Sequence, residues 1–135
     1  MTQAFNRRLF WIDEEFAMVR MAPTAPLPDL GGIGWLHLSR TPHEISMVVP
    51  SHRVPPGAEQ VERGWSALMV EGPLDFALVG VLAELSGALA AASISLCAIS
   101  TWDTDYLLVR SNQRAEATAA LTECGWSFPT ETSTD

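Results

Sequence analysis

Two short segments carry the polar groups that could recognise a small molecule. The first is a glycine followed by the start of an apolar, helix-like run, where unpaired N–H groups and the positive end of the helix dipole would favour a carboxylate. The second is a turn that supplies two hydroxyl groups and one carboxylate, which would suit an ammonium group. Together they suit a free amino acid. The candidate ligand-binding residues are Gly72, Pro73, Leu74, Asp75, Phe76, Ser100, Thr101 and Asp103.

The same residues also have purely structural interpretations. Asp75 could simply cap the first turn of the helix, and Asp103 could simply form the turn, where aspartate bonds its own backbone. A paired-carboxylate catalytic site at Asp103 and Asp105 is a third possibility, since the two would share one face of a strand. Catalysis would require a deep pocket around one of these carboxylates.

Composition and spacing argue against several classes of function. The formal net charge of −8 argues against a nucleic-acid partner, which requires clustered Lys and Arg. His37, His43 and His52 are scattered without partners at metal-ligand spacing, so we expect no metal site and no cofactor. Cys97 and Cys124 show neither zinc nor redox spacing, and we expect two small buried side chains in a reducing compartment.

The chain has enough apolar residues for a core and no pattern typical of a membrane protein. The 135 residues are 47% apolar, and the longest weakly polar stretch, residues 74–99, contains Asp75 and Glu84. It predicts a buried helix followed by a strand and no membrane span. The first eight residues lack the regions of a signal peptide, which predicts a cytoplasmic protein.

The second half has a β-α-β-turn-β-helix pattern, typical of a ferredoxin-like unit. Strands are predicted at 65–70, 94–100 and 106–109, a second helix from Asn112 or Gln113 to Gly125, and a short edge strand at 126–128. The long helix begins at the Gly72–Phe76 segment. Its apolar stripe consists of Leu78, Leu82, Leu85 and Leu89, and a stripe of small residues consists of Gly80, Ala83, Gly87 and Ala90. The small stripe indicates close packing, either on a neighbouring element or at a subunit contact.

The first half has a reduced version of the same plan, without a long helix. Strands are predicted at 8–12 and 14–21, with Asp13–Glu14 as the turn, and at 34–40 and 44–50. Three prolines exclude a long helix in residues 22–29, and residues 51–64 are interpreted as a linker. The predicted organisation is a reduced half at 1–57, a complete half at 58–128 and a disordered tail at 129–135.

Three segments of the sequence resemble the ACT amino-acid-binding domains. They are Gly72–Phe76 (G-P-L-D-F), Ser100–Tyr106 (S-T-x-D-T-D-Y), and Arg40–Val48, which is similar to a strand pair of that family. The closest resemblance is to small ACT proteins related to the ACT domains of the TOR-pathway arginine sensors. Trp102 stands where tyrosine or phenylalanine is usual.

The resemblance implies an α+β, ferredoxin-like ACT fold in two tandem halves, with an antiparallel sheet and helices on one face. It implies a non-catalytic regulatory protein that binds a small ligand, an amino acid, near Gly72–Phe76. It also implies a homodimer, since the sheets of ACT domains commonly join edge to edge or their helices pack together, and an unidentified regulated enzyme. Ligands of ACT domains bind at an interface between two domains. The alternative is an interaction or dimerisation module without a ligand.

Overall fold

The computed structural model describes residues 7–72 and 80–129. It divides into two compact units: unit 1 comprises residues up to 13 and from 66 onward, and unit 2 comprises residues 14–65. The described residues form six strands and two helices. In chain order these are β1 Leu9–Met21, β2 His37–Arg40, β3 Ile45–Pro50, β4 Gln60–Val70, α1 Val81–Ala91, β5 Cys97–Ser100, β6 Asp105–Arg110 and α2 Arg114–Glu123.

Unit 1 combines strands in the order β1-β4-β6-β5 with both helices. β5 and β6 form an antiparallel hairpin in which Ser100 is paired with Asp105. Leucines of the predicted α1 stripe enter the core, since Leu85 and Leu89 are buried and Leu82 packs against them. The other large side chains of this core are Leu9, Leu68, Val70, Val81, Ile94, Leu107, Val109, Leu121 and Trp126. The α+β class with an antiparallel sheet and two helices agrees with the ferredoxin-like ACT fold.

Unit 2 has strands in the order β2-β3-β1-β4 and no α-helix. β3 pairs antiparallel with both β1 and β2. Its core contains Ala17, Val19, Ile45, Met47 and Val49. The proline-rich segment before β2 contains neither helix nor strand, as predicted. Ser51–Arg53 forms one turn of 3₁₀ helix.

The predicted boundaries of four strands were wrong, and one of these is β5, which begins at Cys97, three residues later than predicted. Asp13–Glu14 is not a turn but part of β1, which runs without a break to Met21. Exposed charged side chains are compatible with a strand, because the ladder hydrogen bonds are made by the backbone. β4 begins at Gln60, inside the predicted linker 51–64, and β2 begins at His37, three residues later than predicted.

The start of the long helix was also predicted wrongly. Gly80 has φ 87°, a left-handed conformation that interrupts a helix, and α1 begins at Val81. Pro73 to Val79, which include the predicted cap Asp75 and the stripe residue Leu78, lie outside the described residues. The small side chains of α1, Ala83 and Ala90, are exposed, so the stripe does not pack on another element of the described chain.

The second helix agrees better with prediction. A 3₁₀ turn at Ser111–Gln113 leads into α2, and Gly125, with φ 97°, follows its end. The predicted last strand is reduced to one parallel bridge between Ser127 and Arg8. No helix within the described ranges is long and apolar enough to cross a membrane.

Candidate functional site

The turn between β5 and β6 is stabilised by its own side chains. The Ser100 hydroxyl donates to Oδ1 of Asp105 at 2.6 Å. Thr101 N donates to the carbonyl oxygen of Thr104 at 2.8 Å, and Thr104 N donates to Thr101 Oγ1 at 3.3 Å. These bonds hold residues 100–105 in one conformation.

A buried threonine forms a hydrogen bond between this turn and the end of β4. Thr104 is 7% exposed, and its hydroxyl donates to the carbonyl oxygen of Val70 at 2.7 Å. Gly72 follows Val70 by two residues and is exposed. The structure therefore brings the Ser100–Asp103 segment close to the start of the Gly72–Phe76 segment, although Pro73 to Phe76 lie outside the described residues.

The three predicted residues of the turn differ in what they can offer a ligand. Ser100 and Thr101 are exposed, but their hydroxyl groups already bond within the turn. Asp103 is exposed at the tip and makes no hydrogen bond or ion pair with the residues that the structure describes. Its carboxylate is therefore available to a cationic group. Its exposure, and the bond from Ser100 to Asp105, give no support to a buried catalytic carboxylate pair.

The structure adds residues to this end of the sheet that sequence reasoning missed. Glu71 N donates to the carbonyl oxygen of Arg8 at 2.9 Å, and Arg8 Nε lies 3.6 Å from Glu71 Oε1. Arg8 was missed because its neighbour in space is distant along the chain. Thr104 had a signal, since it is a polar residue inside the S-T-x-D-T-D-Y motif, but the threonine looked like part of an ordinary turn.

A second missed feature is an acidic side chain in the first turn of α1. Glu84 accepts two hydrogen bonds from the Arg7 guanidinium, one of them at 2.9 Å, and one from Trp126 Nε1 at 3.2 Å. The hydrogen bonds from Arg7 lower the pKa of Glu84, and Glu84 in turn raises the pKa of Arg7. The first turn of α1 thus already contains a carboxylate. α1 begins at Val81, and the part of the predicted carboxylate-binding segment from Pro73 to Phe76 lies outside the described residues.

The described residues contain no group of three or more His, Cys, Asp and Glu side chains that could hold a metal ion. Both cysteines are reduced, and burial raises the pKa of the half-buried Cys97 thiol. Cys124 is exposed, contrary to the prediction that both would be buried.

Three solved structures are similar to this chain along most of their length. A protein from Agobacterium tumefaciens is 28% identical, with 95% of this chain and 96% of that chain covered and a TM-score of 0.84. A Vibrio cholerae protein described as a possible transport protein is 17% identical, with coverages of 87% and 88% and a TM-score of 0.67.

The ligand-free regulatory subunit of aspartate kinase from Thermus thermophilus is 12% identical, with coverages of 87% and 95% and a TM-score of 0.59. At such identities, the last two likenesses concern the fold alone. No curated protein sequence matches the chain significantly. Residues 60–123, from the start of β4 to the end of α2, match the family model of the ACT domain.

Proposed function

We propose that this protein is a non-catalytic regulatory ACT protein that binds a free amino acid at the end of β4. ACT domains are regulatory ligand-binding domains, and the match covers β4, both helices and the β5–β6 hairpin. The observation that carries the proposal is the buried hydrogen bond from Thr104 to Val70, because it holds the Ser100–Asp103 turn beside Gly72. This bond supports the proposal that the two motifs, which are separate in the sequence, form one site.

In this proposal each group of the site has a distinct role. The Asp103 carboxylate, exposed at the tip of the turn, binds the ammonium group of the ligand through a charge-assisted hydrogen bond. Gly72 lets the backbone approach the ligand closely, since it has no side chain. Ser100 and Thr101 fix the turn, and Pro73, Leu74, Asp75 and Phe76 complete the site. The ligand then changes the activity of a partner enzyme.

The strand order supports the proposed division into two ACT-like halves. In unit 2, the strands β1, β2, β3 and β4 are counted as first to fourth. In unit 1, the strands β4, β5, β6 and β1 are counted as first to fourth. With this numbering, both units have the strand order second-third-first-fourth. The fourth strand of unit 2 is β4, and the fourth strand of unit 1 is β1. Within this proposal the halves are residues 1–57, reduced, and 58–128, complete, and the protein is cytoplasmic. The proposed relationship to the ACT domains of the TOR-pathway arginine sensors rests on the motifs at Gly72–Phe76 and Ser100–Tyr106.

The proposal is tested by thermal unfolding with each of the twenty amino acids. A ligand at about 1,000 times its Kd that binds only the folded state stabilises it by about 4 kcal/mol. We expect a rise in Tm with one or a few amino acids. Asp103→Asn should abolish this rise, and the matched control Glu123→Gln, which changes an exposed acid on α2, should retain it.

The alternative function is a ligand-free dimerisation module, and one observation favours a contact between copies. Ala83, Gly87 and Ala90 are exposed along α1, and a Cβ added to Gly87 would meet nothing within 4 Å. Such a face lets a second helix approach closely. A dimer in sedimentation experiments that dissociates in Gly87→Leu, together with no thermal shift by any amino acid, would favour this alternative over ligand binding.

A further inference from the structure

A groove in unit 1, separate from the site at Gly72 and Asp103, has an aromatic floor and a cation at its edge. It has a volume of about 580 Å³ and lies between the N-terminal half of α2 and the side chains of Trp11 and Phe128. Small-molecule sites have volumes of this order, and this groove is open to solvent on one side. We refer to it as the Trp11 groove.

The floor of the Trp11 groove consists of two aromatic rings in contact. The Trp11 and Phe128 rings are stacked, with centroids 6.2 Å apart and an interplanar angle of 15°. Trp11 Nε1 donates to Thr118 Oγ1 at 2.9 Å, and that hydroxyl donates to the carbonyl oxygen of Arg114 at 3.0 Å. The polar atom of the indole is therefore satisfied, and the ring surface that remains in the groove is apolar.

The charge in the groove comes from Arg114. Its guanidinium carbon lies 4.8 Å from the centroid of a Trp11 ring, in a cation–π contact that orients the side chain along the floor. Arg7, Arg8 and Arg20 each have a glutamate partner. Arg114 has no carboxylate partner among the described residues, and no residue lining the groove is acidic. The cation is therefore free to pair with an anion from solution.

The other lining groups suit a small ligand with a polar end. Asn112 is exposed at the rim and offers an amide that both donates and accepts hydrogen bonds. The small side chain of Ala115 leaves space for a ligand beside α2. In a protein with a net charge of −8, an arginine without a carboxylate partner is a local centre of positive charge.

We propose that the Trp11 groove is a second binding site, for a small aromatic carboxylate. The aromatic body of the ligand lies on Trp11 and Phe128, and its carboxylate pairs with Arg114. The groove shares no residue with the proposed amino-acid site, so its occupancy does not depend on Asp103.

The test uses phenylacetate and its neutral amide, phenylacetamide, titrated into the ¹⁵N-labelled full chain. Binding is followed by the Trp11 indole cross-peak at probe concentrations up to about 10 mM, which detects a Kd of about 1 mM. We expect phenylacetate to bind and Arg114→Gln to weaken binding about tenfold or more, the effect of a lost charge-assisted hydrogen bond. Arg40→Gln, which removes an exposed arginine of β2, should leave the affinity unchanged.

A second variant tests how charge contributes to phenylacetate binding while Arg114 is retained. Ala115 is exposed on α2, so Ala115→Glu should keep the fold while adding a negative charge at the rim, and it should also abolish phenylacetate binding. The proposal is overturned if phenylacetate does not perturb the Trp11 signal. It is equally overturned if phenylacetamide binds as tightly as phenylacetate, or if Arg114→Gln binds phenylacetate with unchanged affinity. Either result would favour an apolar contact surface for a protein partner. Asp103→Asn should bind phenylacetate normally, which separates this site from the proposed function.

Discussion

The hydrogen bond from Thr104 to Val70 can be removed with almost no change of shape. Thr104→Val replaces the hydroxyl by a methyl group at a position that is 7% exposed, and leaves the Val70 carbonyl oxygen without that donor. Losing one partner of a buried hydrogen bond costs about 1–3 kcal/mol. At about 4 °C per kcal/mol for a chain of this size, Tm should fall by about 4–12 °C.

The assay is chemical denaturation of Thr104→Val beside Thr122→Val, which makes the same substitution at an exposed position of α2. The control should stay within about 0.5 kcal/mol of the unmodified protein. Since the turn would no longer be held beside Gly72, Thr104→Val should also weaken the binding of any amino acid found in the thermal screen. If Thr104→Val had the same free energy of unfolding as Thr122→Val, this would refute the inference that the hydrogen bond stabilises the turn against β4.

The remaining predictions concern α1. The hydrogen bonds from Arg7 lower the pKa of Glu84. At pH values above the ordinary carboxylate pKa, the ionised Glu84 therefore stabilises the folded state. This stabilisation disappears as the pH falls through the lowered pKa of the folded state. Denaturation at a series of pH values should therefore show that Glu84→Gln is less stable at pH 7 and loses less stability on acidification; parallel curves for both proteins would contradict this. Gly80→Ala should cost about 1–2 kcal/mol, because φ is 87°, whereas Gly87→Ala should gain about 0.5–1 kcal/mol in the exposed helix. If urea titrations gave equal free energies of unfolding for Gly80→Ala and Gly87→Ala, that result would be inconsistent with the observed start of α1.

The fold could be predicted from the sequence wherever hydrophobic periodicity and glycine positions agreed. Leu85 and Leu89 mark the buried face of α1, and Gly125 marks the end of α2. Prediction was wrong where a boundary depends on contacts rather than on local sequence. Asp13 looks like a turn residue but lies in β1, because strand pairing continues through it.

The candidate site was only partly predictable for a similar reason. The motif at Ser100–Asp103 was visible as a cluster of polar residues before a strand. The bond from Thr104 to Val70 and the salt bridge from Arg8 to Glu71 join residues that are distant along the chain, and a single sequence does not indicate which strands are neighbours. The start of α1 was predicted wrongly because Gly80 could not be distinguished from a helical glycine without its backbone angle.

The proposed function requires that an amino acid binds at the turn that contains Asp103. Isothermal titration of the amino acid that gives the largest thermal shift, into the unmodified protein, Asp103→Asn and Glu123→Gln, measures this binding. We expect saturable binding that is lost in Asp103→Asn and retained in Glu123→Gln, while all three proteins unfold at similar temperatures without ligand. Equal affinity in all three proteins, or no binding of any of the twenty amino acids, would contradict it.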